Sequence, residues 1–239
     1  MSNRGRLAIL GASGHGKVVA DIAIHAGWQD ITFYDDVWPR RTRLEHWDVR
    51  GTLAMLLHDL PHFDGVVVAI GHNGIREAKL DALLNHGARV VSLVHPRATV
   101  SPLAQLGAGS VVMAGAVVNA FAELGMGTII NSAATVDHDC RLEACVHVAP
   151  GANVAGDVEI RRTSWIGAGA VVRQGVTIGE GVTVGAGAAV VSDIDGHLVV
   201  AGVPARPMTP TQGDDSIADP PAEGSNVLRL DLTSIQGRS

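Results

Sequence analysis

The stretch of this sequence best suited to acid–base chemistry is Asp137-His138-Asp139, where one imidazole stands between two carboxylates. A neighbouring carboxylate fixes the tautomer of a histidine and raises its basicity, so such a group can take up a proton near neutral pH. A lone outward histidine would be interpreted as a surface residue, but the flanking acids favour His138 as a general base. A second histidine, His147, stands nine residues further along.

A second candidate site is the segment GASGHGKVVADIA, residues 11–23, which follows an apolar run and begins a helical pattern. Backbone N–H groups at a helix N-terminus bind anions, and glycines let the backbone approach a phosphate. A dinucleotide fingerprint would have glycine at position 13, where this chain has Ser13. We therefore expect the diphosphate of a nucleotide sugar rather than a nicotinamide cofactor. A tight turn in an unused nucleotide-type fold is the alternative.

The predicted contacts of the nucleotide sugar come from this loop and from the ends of the next two strands. Parallel strands bring the polar groups that follow them to one edge of a sheet. The predicted contact residues are Gly11, Ser13, Gly14, His15, Gly16, Asp35, Asp36, Gly71 and Asn73. The two aspartates are expected to accept hydrogen bonds from a ribose or a base.

The elements that must position this loop are short apolar runs alternating with helical patterns. Strands are predicted at 7–10, 31–34, 66–70 and 90–94, and helices at 17–27, 52–58 and 74–87. Such alternation is typical of parallel βαβ units with right-handed crossovers, so the first part of the chain is expected to be a Rossmann-like α/β sheet.

The elements that must position His138 follow a different period. From Val100 to Val190 every sixth residue is aliphatic, and a small or β-branched residue stands two places before each of them. This pattern predicts an all-β solenoid whose short faces bury one aliphatic and one small residue. His138 and His147 fall on outward positions. Glycines that follow the aliphatic residue, as at Gly107 and Gly125, are expected to serve the turns.

The hexapeptide period resembles the left-handed parallel β-helix of hexapeptide acyltransferases. That resemblance, rather than the period, implies the left hand, the three-sided prism and a coil of eighteen residues, and hence about five coils between residues 100 and 190. Under that arrangement Gly156 lies directly beneath His138 in the stack and leaves room beside its ring.

Residues 6–208 resemble the two-domain sugar O/N-acetyltransferases of the NeuD/PglD type. The shared motifs are GASGHGKV at 11–18, YDD at 34–36, GHN at 71–73, HPRATV at 95–100, VDHD at 136–139, HVAPGANVAGDV at 147–158 and AGVPARPM at 201–208. The resemblance implies that His138 is the general base and Asp139 its orienting partner. Family members commonly have glutamate directly after the catalytic histidine. Asp139 is one methylene shorter, so its hydrogen bond to the imidazole is the feature on which this implied role depends.

The resemblance also implies acetyl-CoA as co-substrate. Its expected contacts are Asn131, His147 and Gly156. Arg206 is the candidate for its phosphates, although Arg161, Arg162 and Arg173 are equally suitable surface charges. No metal is needed for this chemistry.

The predicted function is acetyl transfer to the amino group of a nucleotide-linked 4-amino-4,6-dideoxy sugar. O-acetylation of sialic acid or a related sugar hydroxyl is the alternative, because these residues do not distinguish an amine from a hydroxyl. Another alternative is a non-catalytic nucleotide-sugar-binding protein. A zinc enzyme of the γ-carbonic-anhydrase kind would need three histidines, whereas the middle coils offer only His138 and His147.

Composition and charge indicate which partners and which location to expect. The net charge of −6 argues against a nucleic-acid partner. The sequence contains no run of eighteen apolar residues, so no membrane span is expected. The chain begins without a signal-peptide pattern, so a cytoplasmic protein is expected. The predicted domains are 1–95, which is Rossmann-like and binds the nucleotide sugar, and 96–208, which is the β-helix. A flexible tail is expected at 209–239.

The spacing of the two histidines predicts an assembly. His138 and His147 are nine residues apart, half of an eighteen-residue coil, so one prism cannot present both on the same face. We therefore expect a homotrimer in which His138 of one chain faces His147 of the next, since heterologous contacts can close into a ring.

Overall fold

The computed structural model describes residues 4–208. The predicted tail at 209–239 lies outside the described residues. Residues up to Met208 form one compact unit, so the division at residue 95 stays a prediction about architecture. No helix within 4–208 combines the length and the apolar character that a bilayer crossing requires.

The first part of the chain is a small parallel sheet with helices. Its elements are β1 Arg4–Leu10, α1 Gly14–His25, β2 Trp28–Tyr34, β3 Arg43–Leu44, β4 Trp47–Asp48, α2 Leu53–Asp59, a 3₁₀ turn Leu60–His62, β5 Gly65–Val68 and α3 Asn73–Asn85. The strand order is β2–β1–β5 and all pairs are parallel. The predicted Rossmann-like sheet is therefore confirmed, and the β3–β4 hairpin is an element that the apolar pattern did not predict.

The fourth predicted strand of this sheet, 90–94, is wrong. Only Val90 bridges the sheet, at Val66. Leu93 and Val94 pair instead with Val111 and Val112, eighteen residues further along. The interval equals one coil of the solenoid, so the backbone groups of these residues find their partners in the coil that follows rather than in the sheet.

The rest of the described chain is a parallel β-solenoid. Its strands are β6 Leu93–Val94, β7 Thr99–Val100, β8 Gln105–Leu106, β9 Val111–Val112, β10 Val117–Val118, β11 Glu123–Leu124, β12 Ile129–Ile130, β13 Thr135–Val136, β14 Arg141–Leu142, β15 His147–Val148, β16 Asn153–Val154, β17 Glu159–Ile160, β18 Trp165–Ile166, β19 Val171–Val172, β20 Thr177–Ile178, β21 Thr183–Val184, β22 Ala189–Val190, β23 Val199–Ala201 and β24 Arg206–Pro207.

The strands stack into three ladders, which form the three faces of the prism. Val118 pairs with Val100 below and Val136 above, which confirms the coil of eighteen residues. One ladder holds six strands, β7 to β22, spaced eighteen residues apart, so residues 100–190 make the predicted five coils. The strands before and after this range bring the whole solenoid to about six turns. In strands β6 to β23 the second residue points inward, and these aliphatic side chains form the core with the small residues of the turns.

The three faces have different surroundings. The covered face, with strands β6, β9, β12, β15, β18 and β21, carries Val111 and Ile129, which pack against Leu7 and Ile9 of the sheet. The charged face, β8 to β20, carries ion pairs such as Arg141–Glu123 at 3.2 Å. The cleft face, β7 to β22, is covered by neither helices nor sheet within the described chain. Burial against the first part of the chain therefore leaves two faces of the prism for other contacts.

The turn glycines have a different purpose from the one that the sequence predicted. Gly107 lacks a positive φ, and a Cβ there would lie 2.5 Å from the backbone of Gly125 in the next coil. The left-handed position comes two residues later, as at Gly109 with φ +74°. It recurs every sixth residue up to Gly187. The glycines that follow the aliphatic residues therefore allow close stacking of coils, while the turn itself depends on the later position.

One arginine joins the sheet to the solenoid. Arg76 of α3 is fully buried and shares a helix face with the buried Leu80 and Leu83. Its guanidinium donates to the carbonyls of Gly127 and Cys145 in the solenoid, each at 2.8 Å.

The same guanidinium also donates within the first part of the chain. It reaches the carbonyls of Ile70 and Gly71 at 2.9 Å and Asn73 Oδ1 at 2.8 Å. Burial lowers the pKa of Arg76 to about 10, so the group keeps its charge at neutral pH. A buried charge of this kind is tolerated only when its donors are satisfied, and that requires both parts of the chain in place.

We expect Arg76→Met to lower the free energy of unfolding by about 3 kcal/mol or more, because it leaves several buried carbonyls without donors. Denaturant unfolding monitored by circular dichroism measures the change. Arg162→Met is the matched control, since Arg162 also connects the solenoid to α3, through Glu77, but is 48% exposed. An exposed ion pair contributes about 0–1 kcal/mol. Equal losses in the two variants would contradict the assigned role of Arg76.

Candidate active site

His138 lies in the turn between β13 and β14, at the edge shared by the cleft face and the charged face. Its Nδ1 is 2.7 Å from Asp139 Oδ2, so the aspartate reaches the imidazole despite being one methylene shorter than glutamate. Asp139 takes the left-handed position of the turn, with φ 60°. The contact favours the tautomer with the proton on Nδ1, which leaves the lone pair of Nε2 to accept a proton.

The carboxylates around His138 make it more basic. The hydrogen bond with Asp139 contributes most, and the charge of Asp137 adds to it, so the pKa of His138 is raised above its usual value. The imidazole is 60% exposed, which means that solvent screens part of this effect. A base with a raised pKa binds its proton more strongly, and it must lose that proton before it can act.

Gly156 stacks against the ring of His138 from the coil that follows, in the column that the sequence predicted. A Cβ on Gly156 would come within 2.6 Å of both Cε1 and Nε2 of the imidazole. The backbone of the same following coil also holds the turn, since Asp157 N–H donates to His138 O at 3.0 Å. The room that glycine leaves is therefore taken up by the histidine ring itself.

A cleft of about 420 Å³ runs along the cleft face beside this turn. Its lining is a mixture of valines and short polar side chains: Val117, Asn119, Thr135, Asp137, Asn153, Val154, Ala155, Val171 and Val172. Asp137 belongs both to the cleft and to the turn of His138. The cleft thus brings an elongated, partly apolar surface to the candidate base.

His147 lies elsewhere. It points away from the prism interior, as predicted, and the first part of the chain covers it, so that the side chain is 4% exposed. It stands between His15 of α1, with ring centroids 6.5 Å apart, and Trp165 of the next coil, at 4.1 Å. Its Nε2 is 3.1 Å from Asn131 Nδ2. The structure therefore joins two predicted acetyl-CoA contacts, Asn131 and His147, to a residue of the glycine loop.

The two histidines of this group are uncharged near neutral pH. Burial, followed by the charge of Arg76, lowers the pKa of His15 to about 4 and that of His147 to about 3. Within the described chain His15 Nε2 is buried without a partner. His147 Nδ1 faces the backbone of Gly71 without a well-formed hydrogen bond. Two neutral rings with unused nitrogens can donate to or accept from a bound hydroxyl or carbonyl.

The glycine loop divides into structural and open positions. A Cβ at Gly11 would lie 2.5 Å from Ala69 O, and one at Gly16 would lie 2.4 Å from Gly11 O. These two glycines therefore serve the packing of the loop rather than a ligand. Gly14 begins α1 and has open space around it, and the neighbouring Ser13 is exposed. The predicted anion site is confined to the first turn of α1.

The two aspartates after β2 are already engaged. Asp35 accepts the backbone N–H of Ala12 at 2.6 Å and that of Val37 at 2.9 Å. Asp36 accepts the N–H of Leu53 at 2.9 Å. In addition it pairs with Lys79 Nζ at 2.5 Å, and these bonds lower the pKa of Asp36. Both carboxylates thus hold the loops of this edge in place, and a nucleotide would meet them as shared acceptors.

Asn73 is also used by the fold. It is 7% exposed, and its amide donates to the carbonyls of Thr163 and Ser164 in the solenoid at 2.9 and 3.1 Å. Gly71 presents open space at the same edge. Arg206, predicted to contact phosphates, is exposed on β24 and donates to Ala205 O at 2.8 Å. No contact joins Arg206 to the other predicted site residues in the described range 4–208.

The β3–β4 hairpin adds groups that sequence reasoning missed. Lys17 of α1 forms an ion pair with Glu45 of this hairpin, and Arg41 donates to Ala12 O. Arg76 was missed as well, although its spacing from Leu80 and Leu83 places a charge in an apolar helix stripe. That position in the stripe is the signal that could have identified it.

A group of possible metal ligands, Asp21, His25 and His95, lies between α1 and the first coil. His95 Nδ1 accepts the backbone N–H of Arg97 at 3.0 Å. Its Nδ1 is therefore already used as an acceptor, and the proton of the neutral ring is on Nε2. We do not assign a metal site here, and the expectation that no metal is needed stays a prediction.

Two family models match parts of this chain. Residues 6–83 match the family model described as the PglD N-terminal domain. Residues 157–191 match the bacterial transferase hexapeptide model, which comprises six repeats.

Solved structures cover most of the chain. The acetyltransferase domain of PglB from Neisseria gonorrhoeae, in complex with acetyl coenzyme A, is 47% identical with a TM-score of 0.82, over 87% of this chain and 100% of that one. PerB from Caulobacter crescentus, in complex with CoA and GDP-perosamine, is 37% identical with a TM-score of 0.80, over 86% and 98%. WeeI from Acinetobacter baumannii is 25% identical with a TM-score of 0.79, over 85% and 100%.

The contact between Gly156 and the imidazole leads to a test. We expect Gly156→Ala to displace the ring of His138, because the added methyl would overlap it, and thereby to lower kcat about tenfold or more. Steady-state kinetics measures this, and a crystal structure of the variant would show the ring. Gln174→Ala, in the same column one coil above Gly156, should leave kcat unchanged. An unmoved ring or a normal kcat in Gly156→Ala would contradict this account.

Proposed function

The chain belongs to the hexapeptide-repeat sugar acetyltransferases of the PglD type, and we propose that it transfers the acetyl group of acetyl-CoA to the amino group of a nucleotide-linked 4-amino-4,6-dideoxy sugar. The observation that carries this proposal is the His138–Asp139 pair, 2.7 Å apart at the end of the cleft. A base at that place suits a reaction in which an amine must lose a proton as it attacks a thioester.

The nucleotide sugar binds at the carboxyl edge of the parallel sheet. The first turn of α1 offers N–H groups around Gly14, where space is open, and these suit a diphosphate. The side chain of His15 lies next to them and leads towards His147. A sugar attached to the diphosphate would therefore extend from the glycine loop towards the solenoid.

Acetyl-CoA lies along the cleft face. The pantetheine arm consists of methylenes and amides, and the cleft offers valine walls beside the amides of Asn119 and Asn153. Its volume of about 420 Å³ is within the range of small-molecule sites. The proposed contacts near the thioester are Asn131 and His147 of a neighbouring chain; their side-chain nitrogens lie 3.1 Å apart.

The reaction then needs no group beyond these residues and the two substrates. The amine nitrogen attacks the thioester carbon, and the C–N bond forms as the carbonyl oxygen takes up the electron pair. Nε2 of His138 accepts the proton from nitrogen, and Asp139 stabilises the resulting imidazolium. Collapse of the tetrahedral intermediate breaks the C–S bond, and the leaving thiolate takes the proton from His138 as free CoA.

The test of the proposal is a panel of UDP-, dTDP- and GDP-linked 4-amino sugars, with acetyl-CoA as donor and release of free thiol as the signal. Sialic acid is included so that O-acetylation is recorded as a separate outcome. No thiol release above the acceptor-free rate with any nucleotide amino sugar would refute the proposed function.

We expect His138→Ala to lower kcat about 10²–10⁴-fold with the accepted sugar, because the proton of the attacking amine loses its acceptor. Asp139→Asn should lower kcat by a smaller factor, since the amide keeps an oxygen near Nδ1 of His138 but removes the negative charge. The thermal midpoint of both variants should match the wild type, because the turn is exposed. Near-normal turnover in His138→Ala would rule out this base.

We further propose a homotrimer with three active sites, in which His138 of one chain approaches the Asn131–His147 corner of the next. The cleft face, which the sheet leaves uncovered, provides a surface for such a contact. Because His147 belongs to the covered face and His138 to another corner, one chain does not present both to a single substrate.

Light scattering should give the mass of three chains. Mixing His138→Ala with His147→Ala protein under subunit exchange should restore part of the activity, because some interfaces then pair two intact residues. A monomer, or no recovery after exchange has been demonstrated with labelled subunits, would be incompatible with shared sites.

A further inference from the structure

One coil below the catalytic turn, an asparagine holds a carboxylate in place. Asn119 Nδ2 donates to Asp137 Oδ1 at 2.7 Å, and the same oxygen accepts the backbone N–H of His138 at 2.8 Å. Asn119 and Asp137 are eighteen residues apart, so they occupy the same position of successive coils. The bond therefore ties the turn that carries His138 to the rigid coil beneath it.

The backbone of this turn is also bonded to its neighbouring coils. Asp157 N–H donates to His138 O at 3.0 Å, and Asp139 N–H donates to Ala120 O at 3.2 Å. These bonds fix the backbone, while the imidazole of His138 is 60% exposed. Side chains of the solenoid core do not pack around the ring, which meets Gly156 on one side. The short bonds through Asp137 Oδ1 consequently make a large contribution to where the base is held.

Asp137 also acts through its charge. Its carboxylate raises the pKa of His138, as do those of Asp139 and Asp157, which are the other charged groups that influence this ring. The bond from Asn119 in turn lowers the pKa of Asp137 and keeps it ionised. Asn119 thus influences both the position of Asp137 and the state in which it faces the base.

We propose that Asn119 is a positioning residue for His138 that acts through Asp137, by holding this carboxylate against the backbone of the catalytic turn. The proposal rests on the proposed function only for its kinetic test, because the titration of His138 can be followed without turnover. Asn119 also lines the cleft, so the test has to separate positioning from contact with a substrate.

The kinetic test is a double-mutant cycle of Asn119→Ala and Asp137→Ala. Asn119→Ala should lower kcat about 3- to 10-fold, as expected for losing a hydrogen bond to a charged group at an exposed site, whatever it does to the KM for acetyl-CoA. In the Asp137→Ala background the same change should have no further effect, because the group through which it acts is gone. Additive effects, or a raised KM with normal kcat, would overturn the proposal.

The titration test follows the ring protons of His138 by NMR. Asp137→Asn removes a negative charge that stabilises the imidazolium, so the midpoint should move to lower pH, as should the acidic limb of kcat/KM. Asn119→Ala should shift the midpoint in the same direction by a smaller amount, because the released carboxylate moves away. It should produce no shift when Asp137 is already alanine. An unchanged midpoint in Asn119→Ala would overturn the proposal.

Asn153→Ala is the matched control. Asn153 is an asparagine of the same cleft, but it contacts Thr135 at 2.9 Å and not Asp137. It should leave the midpoint of His138 unchanged whatever it does to the KM for acetyl-CoA. A midpoint shift in Asn153→Ala as large as in Asn119→Ala would count against positioning through Asp137. If the wild type acetylates none of the amino sugars, the proposed function fails, and the titration still decides the role of Asn119.

Discussion

The buried guanidinium of Arg76 is the interaction on which the arrangement of this molecule depends. Its donors reach two carbonyls of the solenoid, at Gly127 and Cys145, and oxygens of its own loop. A cation without water must satisfy all of its donors, and this one does so only when α3 lies on the covered face. The glycine loop is thereby held beside the coil of His147, and the charge of Arg76 helps keep His15 and His147 neutral.

The solenoid positions the side chain of the candidate base through the stacking of its coils. Each coil repeats the same backbone, so a polar residue on a turn is positioned by the coils above and below it. His138 has Gly156 above it in the stack, while Asp137 is tied to Asn119 below. A candidate base on such a ladder is held by rigid elements even though it is exposed, which is what precise positioning requires. Because the sheet covers one face and ion pairs occupy another, the cleft face is the face on which we propose that acetyl-CoA binds.

At the carboxyl edge of the sheet, polar side chains that the sequence suggested as ligand contacts already form hydrogen bonds within the fold. Asp35 and Asp36 hold neighbouring loops through backbone N–H groups, and Asn73 binds the solenoid. The first turn of α1 is open around Gly14, and Nε2 of His15 is buried without a partner in the described chain. Recognition of an anion at this edge would thus depend more on the helix N-terminus than on acidic side chains.

The sequence by itself determined the features that repeat or that are local. The six-residue period predicted the solenoid. The resemblance to hexapeptide acyltransferases supplied the coil of eighteen residues, which places His138 and Gly156 in one column, and the motif VDHD predicted the base with its partner. Only the tertiary structure decided that His147 is buried, that Leu93 and Val94 join the solenoid, and that Arg76 connects the two parts. The physical reason is that a periodic pattern constrains each coil by its neighbours. Contacts such as Arg76 with Cys145 join residues 69 positions apart and depend on how whole elements pack.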